Sequence, residues 1–392
     1  MTSLDSTGGG PLEHLRVLDF TALLQGPAAT QMLADLGADV VKVERPDGEW
    51  MRHWGIYDSH SHGETDAFLA FNRNKRSVAA DLRDAHTVER LLELGERADV
   101  VVENFRPGVM DRLGLGYEAF NSRNPRVIYA AASGYGTSGP YVDRPGQDYL
   151  VQALTGAMWL TGRRDDPPFP IGLAVADQVA GLHLVIAILA GLQSRERTGM
   201  GQRVDIDLLS CMLAMQQQEL TVFLNHGEPL ERPAENVGHV GITAPAGVYE
   251  TADGFLMLAM FPCPVLGEIL GLEWLNQYDT NQKMLEGRDE VHLRLSKHFA
   301  QKPTAEWIDL LGPHDVWCAP VQTHDQILTD PQIAHKELIW EVPVGEGEGT
   351  YLTIGSPLNF SATPPGLRRG APRVGAHTEE FDAGSVWQEE PG

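Results

Sequence analysis

Two carboxylates and a set of basic residues at segment ends are the groups of this 392-residue chain whose types and spacing could do chemistry. Asp177 is the one acidic residue in "PFPIGLAVADQVAGLHLVIAILAGL", Pro168 to Leu192, and no Lys or Arg stands in that stretch to pair with it. A helix N-terminus favours an anion through unpaired amides and the macrodipole. Two readings of Asp177 stay open on spacing alone: a plain N-cap, or an ionised carboxylate nucleophile in a partly apolar setting. Asp148, in "RPGQDYL", is a second loop carboxylate with a turn or capping role as its default. His183 falls two helical turns into the apolar segment, where a satisfied core histidine fits better than a base.

Basic residues gather at segment ends: Arg45 after "VVKVE", Lys75 and Arg76 in "NRNKR", Arg106 and Arg112 in "ENFRPGVMDR". Carboxyl ends of parallel strands are where open α/β sheets bind ligands. Converging Arg and Lys there can hold phosphates, whereas surface ion pairing is the plain alternative for each taken singly. No Walker A loop, HExxH, GxSxG elbow or zinc-spaced Cys/His set occurs, and "GHVG" is too short and too late for a dinucleotide fingerprint. Cys211, Cys263 and Cys318 lie far apart, so no metal site is expected and reduced thiols are.

The elements that must position these groups alternate along the first half. "LRVLDF", "DVVKVE", "DVVVENF" and "RVIYAAASGYG" read as strands; "GPAATQMLADLGA" and "TVERLLELGERA" read as helices between them. That alternation predicts an α/β domain with a parallel sheet and crossover helices. A helix over residues 178–195 closes the region, and "RVDIDLLSCMLAM" adds a strand running into a helix. After about residue 215 the texture turns Gly/Pro-rich, and "LNHGEPLERPAENVGHVGITAPAG" reads as a long loop. "GVYETADGFLMLAMF" reads as a hairpin, with helices near 265–270, 291–301 and 304–311. The expected division is a large domain over 1–215, linkers and a small α+β domain over 216–335, and a C-terminal return over 336–392.

A formal charge of −24 argues against nucleic acid or an anionic membrane as partner, since both reward a basic surface. It leaves room for a small anionic ligand met by a local basic cluster. The uninterrupted apolar run after Gln178 is only about 14 residues, against about 20 for a spanning helix, so a buried core helix and a cytoplasmic protein are expected. "MTSLDSTGGG" also lacks the basic start and apolar core of a signal peptide.

Taken in order, "LDFTALLQGPAATQMLADLGADVVKVERP", "NRNKRSVAADLRD", "ADVVVENFRPGVMDRLGLGYE", "NPRVIYAAASGYGTSGPY", "DQVAGLHLVIAILAGL", "RTGMGQRVDIDL", "CAPVQT" and "GAHTEE" resemble class III CoA-transferases, the CaiB/BaiF group that also contains α-methylacyl-CoA racemase. The resemblance runs from about Arg16 to Phe381. It implies a Rossmann-like large domain built from both chain ends, a smaller middle domain, and an interlocked homodimer. It implies that Asp177 is the nucleophile and Asp148 an acidic residue near the reacting centre. For CoA it points to Ala22, Leu23, Leu24 and Gln25, to Arg45, to Asn74 and Lys75, to Asn104 and Phe105, and to Arg112. Gly238, His239, Val240 and Gly241 take the place of a glycine-rich flap, poorer in glycine here. Leu24 stands where the oxalate enzyme carries a Gln, with Gln25 beside it, so oxalate specificity does not carry over. Acyl-CoA and small carboxylic acids are the implied substrates, with no permanently bound cofactor.

The racemase branch would need a proton-transferring His where "PGQDY" has Gln147, and an amide exchanges no proton near neutral pH. A dehydrogenase would need a GxGxxG turn where "FTALLQGPAAT" stands. Transfer of CoA between acids is therefore the expected activity; the acids themselves are not legible.

Overall fold

The strands of the first half are short apolar runs whose alternate residues face opposite sides, which suits a sheet covered on both faces. In the computed structural model, which describes residues 10–235, 238–345 and 349–387, they form that sheet. Strands β1 (Arg16–Asp19), β2 (Asp39–Glu44), β3 (Lys75–Ala79), β4 (Val100–Glu103), β5 (Ile128–Ser133) and β6 (Gln202–Asp207) are all parallel. Their order is β3-β2-β1-β4-β5-β6, so the winding reverses between β1 and β4. In such sheets the crevice at that switch is the ligand site.

Val17, Val40, Val100 and Ile128 face one side, where they pack with Leu33, Leu184 and Ile188. Leu18, Val41, Val101 and Tyr129 face the other, against Leu91, Leu94 and Phe120. Helices α1 (Gln25–Asp35) and α4 (Val175–Thr198) cover the first face and α2 (Ala85–Gly95) the second. Helix α2 starts on Asp84, whose carboxylate accepts the Thr87 N–H at 2.8 Å. Helix α3 (Asp148–Leu154) lies between α2 and α4 in sequence.

Helix α4 departs from expectation. It begins at Val175, three residues before the expected start, and runs 24 residues to a left-handed Gly199. By length and composition it could cross a membrane, with mean hydropathy 1.8. It is also not wholly buried. Leu184 and Ile188 are in the core, but Leu182 and Ile186 are 51% and 62% exposed. Two glycines bring the inner face close: a Cβ on Gly181 would stand 3.0 Å from the Gln25 carbonyl oxygen, and one on Gly191 would stand 3.2 Å from Ile128.

The chain forms two compact units. One comprises the residues up to Val151, Ala174–Met215 and those from Ala334 onward; the other comprises Gln152–Leu173 and Gln216–Ile333. Residues 152–173 thus leave the expected run of 1–215. The C-terminal return docks on the sheet through Phe381, Val386 and Trp387. It also carries the antiparallel pair Ile339–Pro343 and Thr350–Ile354.

The second unit contains the expected hairpin, Gly247–Glu250 with Phe255–Leu258, extended by Cys318–Pro320. Helices Cys263–Leu270, Arg288–Phe299 and Thr304–Leu311 pack on it around Tyr249, Leu256, Leu295 and Trp307. One expectation fails. "LNH" is not loop but the end of a helix, Gln217–His226, which stops at a left-handed Gly227.

Candidate active site

The loops leaving β1, β4 and β5 and the start of α4 enclose a cavity of about 290 Å³. Leu23, Gln25, Asn104, Phe105, Arg106, Tyr135, Arg144, Gln147 and Asp177 are among its lining residues. It therefore sits at the carboxyl ends of the strands, beside the switch in winding.

The β1 loop is held from beneath by buried charge. Asn104 clamps Ala22 from both sides, accepting its N–H at 2.9 Å and donating to its carbonyl at 2.8 Å. Glu49 accepts the Leu23 N–H at 2.7 Å and pairs with Lys42 at 2.9 Å; Lys42 in turn donates to the Thr21 carbonyl. Leu23 takes a left-handed φ of 68°, and this bracing keeps its side chain 46% exposed in the cavity wall. The β4 loop is set similarly: Glu103 accepts the Phe105 N–H at 2.8 Å, and burial pushes the Glu103 carboxyl up to about 7. After β5 the chain closes on itself, because Gly134 and Gly146 meet so tightly that a Cβ on Gly134 would lie 2.5 Å from the Gly146 Cα. That closure delivers Gln147 to the cavity and Asp148 behind it.

Asp177 is the third residue of α4, not its N-cap, and the N-cap Ala174 supplies no side chain. Asp148, 5% exposed, does the capping from a distance of 29 residues: its Oδ2 accepts the Asp177 N–H at 3.0 Å. Burial, and next the Asp148 carboxylate, push the Asp177 carboxyl up to about 7. This corrects the expectation that the helix end simply keeps Asp177 charged. A second carboxylate already occupies that helix end, and burial withholds the water that would stabilise another anion.

The other expected residues divide. Leu23, Gln25, Asn104 and Phe105 line the cavity, and Ala22 and Leu24 belong to the same loop. Arg45 and Arg112 are exposed and outside the lining, with Arg45 paired to Asp47 at 2.8 Å. Asn74 and Lys75, expected to contact CoA, are 2% and 0% exposed and do not line the cavity. They stand at the amino end of β3, where they hold the fold. Lys75 pairs with Asp19 at 3.2 Å and donates to the Pro27 carbonyl, and burial pulls its ammonium down to about 8 despite Asp19. Asn74 accepts the Arg368 and Arg369 amides, tying down the C-terminal return. His183, half-buried, donates its Nδ1–H to the Val179 carbonyl within α4, so its ring is satisfied inside the helix.

Within the second unit, Val240 is buried and its carbonyl accepts from Arg288 at 2.7 Å. His239 bridges Glu219 at 2.5 Å and accepts the Gly241 N–H at 3.0 Å. The flap-like segment Gly238–Gly241 is thus anchored by side chains; Asn236 and Val237 lie outside the described residues. Among the described residues no group of His, Cys, Asp and Glu is placed to hold a metal. Sequence reading missed Arg144 and the Tyr135 loop as cavity residues. The signal was the glycine-rich "SGYGTSGP" following a strand.

Residues 12–378 match CoA-transferase family III. The chain is 36% identical to an acyl-CoA transferase of Fusarium pseudograminearum, over 96% of this chain and 85% of that one. It is 34% identical to a succinyl-CoA:glutarate CoA-transferase of Mus musculus, over 95% and 85%. The chain belongs to CoA-transferase family III. The crystal structure of a CaiB/BaiF family protein from Brucella suis superposes on this class III CoA-transferase with a TM-score of 0.85 at 32% identity, covering 96% of this chain and 100% of that one. Members of the family use CoA thioesters as substrates, and the relatives named above carry transferase names.

Proposed function

We propose that this class III CoA-transferase moves CoA from an acyl-CoA to a carboxylic acid, with Asp177 as the covalent nucleophile. The observation that carries the reading is a carboxylate on the first turn of α4, in the wall of the strand-end cavity, with its pKa near 7. At neutral pH a large share of Asp177 is ionised, and a poorly solvated carboxylate is a stronger nucleophile than one held in water or by a cation.

One Oδ of Asp177 attacks the thioester carbon; the C–S bond breaks and CoA leaves as thiolate, giving a mixed aspartyl anhydride. The thiolate then attacks the aspartyl carbonyl, releasing the donor acid as carboxylate and leaving an aspartyl-CoA thioester. The acceptor carboxylate attacks that thioester, and CoA thiolate departs to leave a second anhydride. CoA thiolate attacks the acceptor's acyl carbon, forming the new acyl-CoA and restoring Asp177. No step consumes water, so each anhydride must form where water has little access, which the burial of Asp177 favours. Asp148 holds the Asp177 backbone and, as a like charge, keeps the nucleophile from being over-stabilised.

Arg106 and Arg144 put two cations on the cavity wall. They support CoA phosphate binding or an acid with a second carboxylate, and the mouse relative's name includes a dicarboxylic acid, glutarate. Gln147 in the wall works against racemisation, because an amide supplies no second proton-transfer group. We also read the protein as a cytoplasmic homodimer. The open apolar face of α4 supports the dimer, and three free cysteines support a reducing compartment.

The test is exchange of label between an acyl-CoA and a panel of carboxylic acids. The parent should exchange, and Asp177→Ala should lose at least about 10³-fold in kcat; an Asp177→Ala enzyme that still exchanges would falsify the mechanism.

A further inference from the structure

Gln25 opens α1, an 11-residue helix whose N-cap, Leu24, makes no side-chain capping bond. The first amides of any helix have no acceptor within it, so this end presents donors. The side chain adds another. Gln25 is 6% exposed and lines the same cavity as Asp177, and among the described residues its Nε2 has no hydrogen-bond partner. Buried amide donors are seldom left unmade, because the lost hydration is not returned.

The packing of α1 on α4 sets its position relative to Asp177. A Cβ on Gly181 would come within 3.0 Å of the Gln25 carbonyl oxygen, so the start of α1 presses on that point of α4. Gly181 is four residues after Asp177, one turn along the same helix face. Gln25 and Asp177 therefore share one edge of the cavity.

We infer that the Gln25 side-chain amide is a catalytic residue that donates a hydrogen bond to the acyl oxygen of the group being transferred on Asp177; this rests on the CoA-transferase reading above. When an Asp177 oxygen bonds to the thioester carbon, the carbonyl π pair moves onto the acyl oxygen. Collapse of that oxyanion expels CoA thiolate. A donor placed before the charge develops stabilises it without reorganising, and Gln25 gives up no proton in doing so. The adjacent first-turn amides of α1 supply the same kind of dipole.

The experiment compares the parent, Asp177→Ala, Gln25→Met and Gln25→Ala for label exchange, CoA affinity by calorimetry, and melting temperature. Met keeps the volume of Gln25 and removes the donor. Both Gln25 variants should lose about 10²–10³-fold in kcat, the usual cost of one oxyanion donor, with CoA affinity and melting temperature unchanged or the latter raised. Three results overturn the inference: kcat within about threefold of the parent, a loss matched by weaker CoA binding, or a lowered melting temperature that marks the amide as structural. Exchange abolished by Asp177→Ala but retained by Gln25→Met sinks this inference alone. Exchange surviving in Asp177→Ala, or missing from the parent, sinks the transferase reading as well.

Discussion

At Asp177 the two needs of a carboxylate nucleophile, available charge and a dry neighbourhood, pull against each other. Its carboxyl ionises at about 7 in the fold, against the 3.8 of an exposed Asp. The fold therefore prefers the neutral acid: the stability cost is absent below about pH 4, grows as pH rises from there, and is complete above about 7. Asp177→Asn should melt a few degrees above the parent at about pH 8, and calorimetry should show the gap closing by about pH 4. For the same reason kcat/KM should climb with pH through about 7, which a pH–rate profile reads directly. A lone acid before an apolar run made Asp177 legible in the sequence. What periodicity could not show was that Asp148 caps its amide, because that bond joins residues 29 apart and Asp148 follows directly on the closure of Gly134 against Gly146.

Among the elements, the strands and crossover helices were legible because their apolar periods are clean. The roles of their ends were not. Asn74 and Lys75 looked like ligand residues because basic and polar groups at strand ends often are, yet they open β3 and so stand at the wrong end of the sheet. Lys75 instead neutralises Asp19 within the core, where removing one partner leaves an uncompensated charge. Lys75→Met should cost about 3–5 kcal/mol of stability in denaturant titration, while CoA affinity of the folded fraction stays at the parent's value. A selective loss of CoA binding at full stability would return Lys75 to the site. Helix α4 was misjudged in the other direction. The sequence showed its apolar middle but not its start at Val175, which makes Asp177 a first-turn residue, nor that only one side is covered.

For the molecule as a whole, residues near both ends of the chain build one sheet core, since Leu18 and Trp387 pack in the same cluster. The linear pattern marked a C-terminal return but gave no docking site, because Asn74 and the Arg368 and Arg369 amides meet only in three dimensions. A net charge of −24 would hold copies apart, yet α4 leaves Leu182, Ile186 and Leu189 open to solvent. Burial of that face in the proposed homodimer predicts twice the chain mass of 43.0 kDa in sedimentation. Ile186→Glu should shift the protein toward monomer or prevent its assembly, and an unchanged dimer would place the interface elsewhere. The central claim concerns which atom carries the acyl group. Enzyme incubated with an acyl-CoA, quenched with hydroxylamine and digested should yield a peptide with a hydroxamate at Asp177, seen by mass spectrometry, and no such peptide without the acyl-CoA. Exchange that proceeds at full rate while Asp177 stays unmodified, or a hydroxamate at another carboxylate, would contradict it.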